Sequence, residues 1–90
     1  MDILILLLDD RDTFIRRNAA ESLGKIGDLK SKPWLLRKLE DPEPSVREAA
    51  ALSLGRFSGL DAETRFKLTL LLQDDDTSVQ RAATQVLSSH

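Results

Sequence analysis

Carboxylates are the residues through which this chain could do chemistry. Nine of its fifteen acidic residues, Asp9, Asp10, Asp12, Glu40, Asp41, Glu43, Asp74, Asp75 and Asp76, fall in three short stretches. Carboxylates grouped in this way can hold a cation, dock a basic partner, or cap helices and complement their dipoles. The Gly-centred loop and closing Glu of an EF-hand calcium site are missing. His90 is the only histidine and cysteine is absent, so no metal site built on imidazole or thiolate is expected. There is no Gly-rich phosphate loop, no Ser-His-Asp set and no acid pair isolated in an apolar pocket. The sequence therefore predicts no catalytic residue, no metal and no cofactor, and a chain that is not an enzyme. Capping and pairing are the roles these acids suit best.

The three acidic stretches are copies of one motif. Leu8-Asp9-Asp10-Arg11-Asp12-Thr13-Phe14-Ile15-Arg16 aligns with Leu39 to Arg47 at an offset of 31 residues, and that segment with Leu72 to Gln80 at an offset of 33. All three fit Leu-x-Asp-x-(Asp/Glu)-x-x-(Val/Ile)-(Arg/Gln). The register continues through Ala19, Ala50 and Ala83, then Leu23, Leu54 and Leu87, with Gly24 matching Gly55. Repetition at this period is the mark of a stacked array.

Each copy divides into two helices around its acidic turn. First helices are predicted over Asp2–Leu8, Lys32–Glu40 and Ala62–Leu72, and second helices over Thr13–Ile26, Pro44–Phe57 and Ser78–Ser89. In the middle second helix, Val46, Ala49, Ala50, Ser53, Leu54 and Phe57 follow helical spacing. Pro44 suits a first helical turn, and Ser45 with Glu48 has capping-box spacing. Thr77, and Asp12 or Thr13, suit the equivalent caps. Gly27 and Gly59 follow second helices, where a left-handed residue commonly ends the spiral. Neither helix of a pair can bury its apolar stripe alone, but a stack of pairs can. The fold class expected is all-α, an α-solenoid of three antiparallel hairpins in a right-handed superhelix, with repeats at about 1–28, 29–59 and 60–90.

The pattern Leu-x-Asp-x-Asp-x-x-Val-Arg-x-x-Ala-Ala…Leu-Gly resembles the HEAT repeats of the phycobilisome-lyase type, over nearly the whole chain. The resemblance implies a helical scaffold. It extends to bilin lyases, phycobilisome-handling proteins, iron-dependent hydroxylases and general interaction proteins. It also implies that Asp10, Asp41 and Asp74, with Arg16 and Arg47, link neighbouring repeats. The third copy departs, with Gln80 in place of arginine. The paired His-Glu motifs of the hydroxylase branch are absent.

Composition narrows the function further. Net charge is −2 and hydrophobic residues make up 41% of the chain, which suits a folded domain with no global pull toward nucleic acid or anionic membrane. The run Ile3–Leu8 is too short to span a bilayer. Lack of cysteine fits a cytoplasmic setting. Leu6 and Leu7, and Leu70 and Leu71, stand where the middle copy has Arg37 and Lys38. The outer copies are thus apolar where a terminal repeat should be polar. Either the chain is a piece of a longer solenoid, or Ile3–Leu8 meets another subunit, self-association included. Alternatively, Leu6 and Leu7 fold back on the first copy's own second helix.

The second helices present Arg17, Glu48 and Arg81, then Glu21, Leu52 and Gln85, then Lys25, Arg56 and Ser89 along the expected concave face. That mixed strip suits a protein partner, with Trp34 as a separate candidate anchor. The principal expectation is a non-catalytic scaffold gripping a protein along this strip. The alternative is a bilin-lyase-like or phycobilisome-handling subunit. A nucleic-acid binder using Lys25, Lys30, Lys32 and Arg56 is a weaker third, because four cations on an acidic chain neutralise few phosphates.

Overall fold

The computed structural model describes residues 2–90. Among them are six α-helices and no strand: α1 (Ile3–Leu7), α2 (Thr13–Ile26), α3 (Lys32–Lys38), α4 (Pro44–Leu54), α5 (Ala62–Leu70) and α6 (Thr77–Ser89). Consecutive helices form three hairpins. The hairpins stack through their second helices, α2 on α4 and α4 on α6, while α1, α3 and α5 each lie against their own partner. This is the expected all-α solenoid, 31 × 26 × 17 Å in extent.

Aspartates start four of the six helices. Asp2, Asp12, Asp61 and Asp76 each accept a backbone N–H from the first turn of α1, α2, α5 and α6, and each such cap is worth about 1 kcal/mol. The capping box expected at Ser45 and Glu48 does not form. Pro44 takes the first helical position, which makes Glu43 the cap residue and carries Ser45 inside the helix. Thr77 is likewise the first helical residue, and Asp76 caps in its place. Gly27 ends α2 at φ 71°, in the left-handed region where glycine has no Cβ penalty.

First helices are shorter than expected. Their last residues close with i→i+3 bonds, as in Leu8 N–H to Ile5 C=O at 3.2 Å and Leu39 N–H to Leu36 C=O at 3.3 Å, which tighten the chain into the acidic turn. The last segment of α5 becomes a 3-10 turn over Leu71–Gln73. α4 stops at Leu54 rather than Phe57, yet the Phe57 ring still folds under the stack and is 5% exposed.

One core runs the length of the stack. Leu8, Leu23, Leu35, Leu54, Leu68, Val46 and Val79 are fully buried, with Ala19, Ala20, Ala50, Ala51 and Ala83 between them. The alanines bring the second helices close together, and glycine brings them closer still. A Cβ on Gly24 would lie 2.8 Å from the Ser53 Cα, and one on Gly55 would lie 2.7 Å from a Val86 methyl. The Ser53 hydroxyl, itself buried, donates to the Ala20 carbonyl at 2.7 Å and ties α4 to α2. At one end, Leu4, Ile5, Leu7 and Leu8 of the first segment pack inward, whereas Ile3 and Leu6 stay 70% and 56% exposed. Leu7 thus folds back on its own repeat and Leu6 does not.

Candidate functional site

The acidic turns are joints between repeats. In each, the aspartate carboxylate accepts the backbone N–H two residues on: Asp12 to Asp10, Glu43 to Asp41 and Asp76 to Asp74, all at 2.9 Å. Six residues after the aspartate, a side chain from the second helix reaches back to that aspartate's carbonyl. Arg16 donates to Asp10 C=O and Arg47 to Asp41 C=O, both at 2.8 Å, and the Gln80 amide donates to Asp74 C=O.

The arginines also reach forward. Arg16 meets the Asp41 carboxylate through Nε at 3.0 Å and Nη2 at 3.3 Å. Arg47 meets Asp74 through Nη2 at 3.0 Å. Both arginines and both acids are largely buried, with Asp41 only 2% exposed, and the planar fork fits the carboxylate edge. Burial pushes the Asp74 carboxyl up, but the Asp76 amide and the Arg47 guanidinium outweigh it, so its pKa lies below the ordinary carboxylate range.

Asp10 receives no arginine. Among the described residues its carboxylate serves only the turn. The other acids divide between capping and pairing. Asp9 pairs with Lys38 at 2.7 Å, and Asp75 lies 3.5 Å from Arg47. Among the described residues no group of His, Asp or Glu is arranged to hold a metal ion.

The joints leave one edge of the second helices facing solvent, and the strip named from the sequence divides there into two hollows. Arg17, Glu21, Glu48 and Leu52, with Ser45 and Ala49, line one of about 120 Å³. Leu52, Arg56 and Gln85, with Gly55, Val86, Ser89 and His90, line its neighbour of about 320 Å³. Leu52 belongs to both and is 36% exposed. Lys25 stands beside the first hollow, pairing with Glu21 at 3.3 Å, an exposed contact worth little to stability. Arg81 is exposed on α6 and lines neither hollow. His90 at the far end contacts the Gly55 carbonyl through Nε2 at 2.9 Å.

Phe14 was missed by the sequence reading. It is 69% exposed and lines an apolar hollow with Thr13, Arg17 and Ser45 at the mouth of the strip. The signal was present, because its aligned positions are Ser45 and Ser78. An aromatic where the other copies carry serine is out of place for packing.

The remaining candidates are tied up locally. Trp34 is half-buried under the Arg37 guanidinium, 5.0 Å from the ring centre, a cation–π contact. Lys32 pairs with Asp61 at 2.8 Å. That ammonium, followed by the Thr64 amide, holds the Asp61 carboxyl well below the ordinary range. With Lys25 also paired, the basic rim keeps only Lys30 and Arg56 without an acidic partner among the described residues. No helix among them is long and apolar enough to cross a membrane.

Known proteins agree with the geometry. The family model for HEAT repeats matches residues 1–88. A segment of 40 residues, 44% of this chain, is 58% identical to the phycocyanobilin lyase subunit alpha of a Nostoc species and covers 14% of that protein. The corresponding subunit of a Picosynechococcus species is 52% identical over 40 residues, 15% of its length. That of Microchaete diplosiphon is 41% identical over 56 residues, 19% of its length. The matched segments therefore span less than a fifth of these relatives.

The names overturn one expectation. The chain was expected not to be an enzyme, yet the proteins it matches are lyase subunits. The reason is one of scale: a missing catalytic constellation in 90 residues says nothing about a subunit several times longer. The match over residues 1–88 and the three stacked hairpins make the chain a member of the HEAT-repeat family.

Proposed function

We propose that this chain works as an interaction segment of a phycocyanobilin-lyase-type subunit and holds a protein partner along the solvent-facing strip of its second helices. The observation that carries the reading is the 58% identity over 40 residues to a lyase alpha subunit. The strip supports the choice of face. It combines an apolar centre at Leu52, an exposed aromatic at Phe14 and charges of both signs at Arg17, Glu21, Lys25, Glu48, Arg56 and Arg81, with Gln85 adding a neutral donor and acceptor. An apolar anchor ringed by polar groups is the usual anatomy of a protein interface. The rim of Lys30 and Arg56 is too sparse to favour a nucleic-acid partner.

The test grafts residues 2–90 of this chain into the Nostoc subunit in place of a stretch of equal length that includes its 40-residue matching segment, and measures lyase turnover of phycocyanobilin. A functional chimera is expected, losing at least about tenfold in activity on Leu52→Glu with Phe14→Glu, while its circular dichroism and unfolding midpoint stay unchanged. A folded chimera without activity would refute the lyase assignment. Full activity in the double variant would refute the choice of face.

A further inference from the structure

Stacking occupies two faces of each second helix. On α4, Val46, Ala49 and Ser53 rest on the repeat before, while Arg47, Ala51 and Gly55 support the repeat after. The aligned supporting positions are Arg16, Ala20 and Gly24 on α2, and Gln80, Thr84 and Ser88 on α6. The strip assigned above lies on a third face, along the side of the stack. Its hollows are framed by helices this chain itself contains, at neither end of the array.

The charge of the strip differs from that of the chain. It carries four cations, Arg17, Lys25, Arg56 and Arg81, against two acids, Glu21 and Glu48, a balance of +2 on a chain of net charge −2. The excess is uneven. Around the smaller hollow Glu21 meets Lys25 at 3.3 Å and Arg17 at 3.9 Å. The hollow of about 320 Å³ between α4 and α6 has no acid in its lining. Its Arg56 is exposed and has no acidic partner among the described residues, and the same is true of Arg81, one helical turn before Gln85. Glu48 lines the smaller hollow and pairs with neither.

Beside Arg56 the hollow is apolar, walled by Leu52 at 36% and Val86 at 5% exposure, and the Gln85 amide adds a donor. A guanidinium fork next to an apolar wall matches a carboxylate with an apolar neighbour. An incoming lysine or arginine would meet like charge with no acid to receive it. We infer that the protein held along the strip presents an acidic segment, one carboxylate of which docks on Arg56 while an adjoining apolar side chain packs on Leu52 and Val86. This rests on the strip being the partner face and adds the chemistry of the partner.

The probe is a displayed library of random peptides, panned on the full chain and counter-selected on Leu52→Gln, so that what is retained depends on the strip. Retained peptides should carry an excess of Asp and Glu beside an apolar residue. They should bind Arg56→Glu roughly tenfold or more weakly than the parent, and recover when the contacting acid of the peptide is changed to lysine. Arg65→Glu makes the same change of charge on the exposed surface of α5 and should leave binding within about twofold. Circular dichroism of each variant checks its fold. Neutral or basic retained peptides, or equal weakening by Arg65→Glu, would overturn the acidic partner and leave the strip standing. If no retained peptide depends on Leu52, the strip itself falls and this inference with it.

Discussion

The two ends of this short stack are built differently. At the α6 end, the positions that would support a further repeat are polar: Gln80, Thr84 and Ser88 replace the arginine, alanine and glycine found at both internal joints. At the α2 end, the positions that would rest on a preceding repeat keep their joint character, with Asp10 unmatched, Ile15 part-exposed and Ile3 and Leu6 open beside them. A repeat array stays soluble when its outermost face is polar. α6 meets that requirement by substitution and α2 does not, although on the first helices both outer repeats stay apolar, with Phe66 and Leu70 of α5 at 64% and 58% exposure beside Ile3 and Leu6 of α1 at 70% and 56%. The same three-residue register therefore serves as structure in the middle of the stack and carries polar residues on α6, while the stripe that would rest on it is part-exposed on α2.

Aspartate removal should separate joint from end most strongly. Asp41→Asn leaves the Arg16 guanidinium buried and unpaired and should cost about 3–5 kcal/mol in urea unfolding. Asp10→Asn loosens only a turn and should cost about 1 kcal/mol or less. Equal losses would refute the distinction drawn between the two aspartates. Next in size, Val46→Ala should cost about 2 kcal/mol, because Val46 is at 0% exposure, whereas Ile15→Ala, already open, should cost under about 1 kcal/mol.

The glycine position should behave in the same graded way. Gly24→Ala drives a methyl into the Ser53 backbone and should lower stability by about 1–3 kcal/mol despite alanine's better helix propensity. The aligned Ser88→Gly, exposed at the far end, should lower it by under about 1 kcal/mol. The smallest effect is on acid stability. The Asp74 and Asp61 carboxyls titrate lower folded than unfolded, so their contribution is complete above the ordinary carboxylate range and fades as pH falls below about 4. Unfolding midpoints measured from pH 6 to pH 2 should fall less steeply for Asp74→Asn than for the parent. A steeper fall would show that Asp74 binds its proton more readily folded than unfolded.

The three-hairpin stack was legible because its signals are local and repeated: an acidic turn, a Val or Ile followed by Arg or Gln, then alanine and leucine at helical spacing. The joint pairing was legible only through family resemblance, since nothing in the order of residues states that Arg16 meets an acid 25 positions away. The capping box failed where two local signals conflicted. Pro44 fixes its own backbone angle and starts α4 one residue before Ser45 could cap it. Phe14 escaped notice because helical periodicity treats an aromatic as core until its exposure is known.

By itself the sequence determined the number of repeats, their helices and the placement of charge at the turns, since these follow from spacing and from each residue's own backbone preference. Tertiary structure decided which copies of one motif are buried and which are open. Asp10, Asp41 and Asp74 are the same residue in the same turn, and only the presence or absence of a neighbouring helix makes two of them joints and leaves the third facing outward. Burial depends on what stacks against a residue, and that is a property of the assembled helices rather than of the motif.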